Sequence, residues 1–222
     1  MRIEVKDIRK GFRGKQVLDG ISFAAEAGKC IGILGGNGSG KSTLLSILAG
    51  VQSCDNGSFF CDGKDLFRDS VLRSTLVGYV PQGTPLIEEL SAKDNLSLWY
   101  DRETMEKELA DGVLRMLGIH EFLKTPVCKM SGGMKKRLSI GCAVAKRPPV
   151  LLLDEPSAAL DLDCKARISQ YLRRYKEEGG ILLLTTHDVY ELPLCDEWYI
   201  LRGGVLVPFE YDGDVSRLVK SL

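Results

Sequence analysis

The chain has 222 residues, 44% of them hydrophobic, with 30 Lys+Arg balanced against 30 Asp+Glu. That length and composition exclude a disordered chain and a small scaffold held together by disulfides or a metal. Zero net charge supplies no general basic field for counterion release, so no nucleic acid partner is expected. The longest purely aliphatic runs, 150–153 and 181–184, fall far short of the roughly 20 apolar residues of a membrane span.

Residues 1–7 carry acid and lack the apolar stretch of a signal peptide, which predicts a protein kept in the cytosol. Short β-branched or aliphatic runs bounded by turn signals predict strands over 3–5, 17–23, 30–34 and 58–61. Between the last two, Leu44, Leu45, Ile47 and Leu48 form one apolar face of a helix over 41–49, with Gly50 as its C-cap. From about 83 to 146 the pattern turns helical, over 93–100, 103–117 and 132–145, and reads as an insert. After Pro148-Pro149, strands over 150–154 and 181–186 flank an amphipathic helix over about 163–178. Continuous apolar strands separated by a helix signal a parallel sheet covered on both faces. Strands over 198–201 and 205–208 and a helix near 214–222 complete the chain.

Seven cysteines, at 30, 54, 61, 128, 142, 164 and 195, show no CxxC or Cys/His metal spacing and read as reduced, mostly buried thiols. His120 matches no motif and reads as an ordinary histidine.

The run Gly35-Gly36-Asn37-Gly38-Ser39-Gly40-Lys41-Ser42-Thr43 satisfies G-x-x-x-x-G-K-[ST]. Its glycines let backbone N–H groups converge on phosphate oxygens, and the following helix adds its positive end. Lys41 is then placed to reach the β and γ phosphates, and the Ser42 hydroxyl to ligate Mg²⁺. An aliphatic strand ends in Asp154 and Glu155, at the edge where parallel sheets bind ligands. Asp154 suits a Mg²⁺ role, and Glu155 suits deprotonation of an attacking water. Ser131-Gly132-Gly133, between Met130 and Met134, opens a helix and forms a second anion-binding N-terminus.

The order phosphate loop, Gln82, Ser131-Gly132-Gly133, Asp154-Glu155, Asp161, His187 resembles the nucleotide-binding subunits of ATP-binding cassette (ABC) transporters over nearly the whole chain. The resemblance implies an α/β fold: a P-loop NTPase with a mostly parallel core sheet, an N-terminal antiparallel β-subdomain and an inserted helical subdomain. Residues 1–82 and 147–222 would form the nucleotide-binding core and 83–146 the helical part. It further implies a head-to-tail dimer with a second ABC ATPase subunit, each ATP lying between one phosphate loop and the partner's copy of Ser131-Gly132-Gly133. Phe12 looks like the aromatic that stacks on adenine, in preference to a Phe packed under the first strands. Gln82 matches the residue that contacts Mg²⁺ or the lytic water, Asp161 the loop between the two sites, and His187 the γ-phosphate switch. The family signature usually reads Leu-Ser-Gly-Gly-Gln, whereas Met stands here at 130 and 134. The loss of the amide at 134 predicts a working but weakened composite site.

Transport then requires a separate transmembrane permease subunit, with this chain peripheral on the cytoplasmic face. Pro85-Leu86-Ile87, Leu90 and Leu98-Trp99-Tyr100 are either its docking surface or core of the insert. The chain runs only about 35 residues beyond His187, a compactness shared with multidrug or antibiotic exporters and not with sugar importers that carry an extra C-terminal domain. A soluble cassette ATPase, for example in iron–sulfur assembly, is the alternative. A switch GTPase is disfavoured, because no N-K-x-D motif is present.

Overall fold

The computed structural model describes residues 1–158, 160–186 and 191–211. Its first strands, β1 (Arg2–Phe12) and β2 (Lys15–Glu26), pair antiparallel, and β4 (Asn56–Cys61) and the short β5 (Lys64–Asp65) extend them into a sheet of order β2-β1-β4-β5. Ile3, Val5 and Ile8 of β1 and Leu18, Ile21 and Phe23 of β2 turn the same face inward, the two-residue repeat of a half-buried sheet being interrupted by register shifts between Val5 and Ile8 and after Ile8.

The second sheet contains β3 (Cys30–Leu34), β6 (Val77–Val80), β7 (Val150–Asp154), β8 (Ile181–Thr185), β9 (Glu197–Arg202) and β10 (Val205–Phe209). Its order is β10-β9-β3-β8-β7-β6, parallel throughout except for the antiparallel edge strand β10. Every residue of β3, β7 and β8 is buried. Alternation sorts their side chains into two cores. Ile31, Ile33, Val150, Leu152, Ile181 and Leu183 join the antiparallel sheet and helix α1 (Lys41–Ala49). Cys30, Leu34, Leu151, Leu153, Leu182 and Leu184 face the helices on the other side.

Those helices are α3 (Ala92–Ser97), α4 (Arg102–Asp111), α5 (Val113–Met116) and α6 (Gly132–Ala143), between β6 and β7, and α7 (Leu162–Glu177), between β7 and β8. The fold is therefore the predicted mixture of a mostly parallel sheet, an antiparallel β-layer and an inserted helical region. Its elements depart from the periodicity at several places, three of which have a local cause. The helix predicted over 103–117 is broken at Gly112, whose backbone is extended, because the Glu108 carboxylate curls back to accept from the Val113 N–H at 2.8 Å. A side chain at 112 would lie 2.0 Å from that carboxylate. Helix α2 (Ser70–Leu76) buries none of its residues fully, so its apolar pattern is weak. Strand β6 spans only four residues, one of them Gly78. The helix predicted near 214–222 and His187, expected as the γ-phosphate switch, lie outside the described residues. No helix among the described residues is long and apolar enough to cross a membrane.

Candidate active site

The carboxyl ends of β3, β6, β7 and β8 lie side by side, and the loops that leave them carry the polar residues of the site. After β3 the chain turns through residues 35–40 into α1, whose N-cap Gly40 has φ 109°. A side chain there would be strained and would press on Val17 and Leu18 at 3.0 Å. No side chain caps α1 and no acid occupies its first turn, so its leading N–H groups are left for an external acceptor. Lys41 is buried and folds back to donate to the carbonyls of Gly35 at 2.7 Å and Gly36 at 3.1 Å. Burial lowers its pKa, and the carboxylates of Glu155 and Asp154 oppose that shift. Asn37 and Ser42 are exposed, whereas Ser39 and Thr43 are partly covered.

Asp154 ends β7 fully enclosed, at 2% exposure. Its Oδ1 accepts from Thr185 Oγ1 at 2.6 Å, across the Asp154–Thr185 register of β7 and β8. The next residue, Glu155, adopts a left-handed φ of 48°, which turns the chain sharply off the strand. Its N–H donates to the Thr185 carbonyl at 3.1 Å. Its Oε2 accepts from Gln82 Nε2 at 3.0 Å. Gln82 stands just beyond β6, the neighbour of β7, so two adjacent strand ends deliver an amide and a carboxylate to one point.

Ser131 N-caps α6, its Oγ accepting from the Met134 N–H at 3.2 Å and keeping its own proton to donate elsewhere. Gly133 packs so tightly on α7 that a Cβ would lie 2.5 Å from Cys164 Sγ. Asp161 caps α7 by accepting from the Cys164 N–H at 2.8 Å, and that bonding holds its carboxyl below the ordinary value. The structure thus gathers Lys41, Asp154, Glu155 and Gln82 at the sheet edge and sets Ser131–Gly133 beside Asp161. Met134 packs partly buried against the helical core. Phe12 is 41% exposed, with Lys10 Nζ 5.5 Å from its ring centroid, so it is not a core residue under the first strands. The run 98–100 divides: Tyr100 is core and donates to the Gly141 carbonyl, whereas Ile87, Leu98 and Trp99 are exposed.

Two residues of the site escaped the sequence reading. Thr185 is the lone polar end of the strand Ile181–Thr185, opposite Asp154, and that parallel register was its available signal. Lys136 belongs to the inward face of α6 with Gly133, Arg137 and Ile140, a helical spacing that flags a buried cation. Its Nζ donates to the carbonyls of Pro81 and Gln82. Burial lowers its pKa, against the pull of Asp154, Glu155 and Glu191.

A phosphate loop at the end of a buried parallel strand, with acids on the adjoining strand ends, defines a P-loop nucleotide-hydrolysing protein. The family model for ABC transporters matches residues 18–158. The linearmycin resistance ATP-binding protein of Bacillus subtilis is 32% identical over 97% of this chain and 71% of its own length. A Nod factor export ATP-binding protein of Sinorhizobium fredii is 34% identical over 91% of this chain and 60% of its own. A probable sulfate/thiosulfate import ATP-binding protein of Chlorella vulgaris is 30% identical, covering 93% and 90%. Among solved structures, a dimeric cassette bound to ADP and Pi superposes with a TM-score of 0.83 at 25% identity, over 96% of this chain and 100% of its own. The chain belongs to the ABC transporter family, as an ATP-binding subunit that hydrolyses ATP.

Proposed function

We propose that the chain powers the movement of a substrate out of the cell through a separate transmembrane permease, working as a head-to-tail dimer of cassettes on the cytoplasmic face. In this reading 1–82 and 147–222 form the nucleotide-binding core and 83–146 the helical part that meets the permease. The hydrogen bond from Gln82 to Glu155, beside the enclosed Asp154, is the observation that carries the hydrolytic part.

ATP lies with its phosphates over residues 35–43. The loop N–H groups and Lys41 take the β and γ oxygens, and Phe12 stacks on adenine. The exposed Ser42 hydroxyl, the Asp154 carboxylate and the Gln82 amide oxygen, whose nitrogen is committed to Glu155, are hard oxygen donors of the kind Mg²⁺ prefers and would hold it. Bound there, the ion supplies neutralisation of phosphate charge. Glu155 accepts the proton of the water that attacks the γ phosphorus, and Gln82 orients that pair. Thr185 holds Asp154, and His187 adds a contact to the γ-phosphate. The partner's Ser131 hydroxyl and the N–H groups of its Gly132 and Gly133 close the site from across the dimer, and Asp161 links the two sites. Loss of the γ-phosphate removes the charge that both helix ends attract, and the dimer opens.

Ile87, Leu98 and Trp99 supply an exposed apolar patch for the permease. The export name of one relative and the resistance name of another support outward movement, and the transport named for two of the three favours this reading over a soluble assembly factor. Size-exclusion chromatography with ATP tests the dimer: Glu155→Gln should elute at twice the monomer mass with ATP and as a monomer without it. Failure to dimerise would sink the sandwich arrangement. Co-reconstitution with a membrane subunit that co-purifies with it, in vesicles that expose this chain outside, should give ATP-driven substrate accumulation in the lumen. Accumulation only in vesicles of the opposite orientation would reverse the direction.

A further inference from the structure

Lys136 is 5% exposed, yet it carries an ammonium group. A buried charge is costly unless it is fully bonded, and an apolar residue of equal size would pack the same space at less cost. Its position therefore calls for a role that packing does not explain. Lys136 is the fifth residue of α6, about 7.5 Å along the axis from the Ser131 cap at the rise of an α-helix. Its Nζ donates to the Pro81 and Gln82 carbonyls, both at 3.0 Å. Those two peptides form the first turn of chain beyond β6, and the Gln82 side chain leaves them to reach Glu155 Oε2 at 3.0 Å. A continuous path of bonded groups thus runs from the Ser131-capped end of α6, through Lys136 and the Gln82 main chain, to the Glu155 carboxylate.

We infer that Lys136 is a positioning residue for hydrolysis, which clamps the main chain at 81–82 so that the Gln82 amide meets Glu155 and ties that meeting to the placement of α6. The inference rests on Glu155 and Gln82 acting as proposed above. Lys136 touches no phosphate in this arrangement. Its removal should therefore slow turnover and leave nucleotide affinity in place.

The test is steady-state ATPase kinetics with ATP and Mg²⁺ on the purified full chain, together with equilibrium binding of ATP and thermal melting. Lys136→Met keeps the stem and loses the donors. Its kcat should fall about tenfold or more, the effect of losing a hydrogen bond from a charged group, with KM and ATP affinity changed by less than about twofold. Lys136→Arg should recover most of the loss. Gln82→Ala and the double variant Lys136→Met with Gln82→Ala should turn over alike, because Lys136 acts through Gln82.

A wild-type kcat in folded Lys136→Met, or losses that multiply in the double variant, would overturn the inference, as would a rise in KM matching the fall in kcat. Should Lys136→Met not fold, Lys136→Gln, which retains a donor, should show an intermediate kcat at unchanged KM, and a wild-type kcat there would equally overturn it. Glu155→Gln separates the two levels: if it hydrolyses like wild type, the underlying assignment of Glu155 fails whatever Lys136 does. If it is inactive while Lys136→Met is unaffected, only the positioning role fails.

Discussion

Replacing Thr185 with Val removes one hydroxyl and almost no volume, from a residue with 0% exposure. That hydroxyl is the donor to Asp154 Oδ1 at 2.6 Å, and Asp154 is itself 2% exposed. Water cannot replace the bond at such burial, so the carboxylate bears the loss. A hydrogen bond to a charged group contributes about 1.5–3 kcal/mol, and the penalty for leaving a buried acceptor short of a partner falls in the same range. The Glu155 N–H also approaches Thr185 Oγ1, at 3.2 Å, but it keeps the Thr185 carbonyl at 3.1 Å and adds little. Urea denaturation of Thr185→Val should therefore show unfolding free energy lowered by about 2 kcal/mol at an unchanged slope. Thr185→Ser, which keeps the donor and loses a methyl, should cost about 1 kcal/mol. A Thr185→Val variant as stable as the wild type, or one that loses no more than Thr185→Ser, would show that the bond to Asp154 contributes little, and would refute the reasoning.

Gly133→Ala drives a Cβ to 2.5 Å from Cys164 Sγ and should destabilise by about 1–3 kcal/mol, with most of that recovered when Cys164→Ala is added; thermal melts of the two variants decide it. Burial pushes the Tyr79 hydroxyl up to about 12. The folded state then keeps a proton that the unfolded chain releases near its ordinary value of 10.0, so this contribution to stability is complete below that pH and is lost as pH rises toward 12. Tyr79→Phe should show a shallower decline in urea midpoint across that window. Met134→Gln should raise ATP turnover by restoring an amide at the proposed dimer contact, measured as kcat per dimer. With a limiting alkylating reagent, Cys128 should be modified first, because it is the exposed thiol while Cys30, Cys61, Cys142 and Cys164 are buried; peptide mass mapping reads the order.

The legible parts of the fold are those where a local rule and the tertiary contacts agree. Val150–Asp154 and Ile181–Thr185 are continuous aliphatic runs because both sheet faces are covered, and only a parallel sheet between two layers asks for that. Lys41–Ala49 was readable at both ends, since a glycine stands in the left-handed conformation at each cap. The break at Gly112 was not readable, because it depends on the Glu108 carboxylate reaching back to the Val113 N–H, a contact that helical periodicity cannot register. In the site, the groups proposed to touch phosphate follow motif spacing. Thr185 and Lys136 act instead through neighbours 31 and 54 residues away in sequence, and only the packed sheet edge brings those pairs together. The apolar run at 98–100 shows the same division: the residue types alone left core and surface open, and the structure sends Tyr100 inward and Trp99 outward.

In the proposed mechanism Glu155 takes the proton from water. Single-turnover hydrolysis of radiolabelled ATP, with binding measured on the same samples, tests this most directly. Glu155→Gln should bind ATP as tightly as the wild type and release phosphate at least about a hundredfold more slowly, the contribution of a general base. Phosphate release at the wild-type rate from a fully occupied Glu155→Gln variant would contradict it.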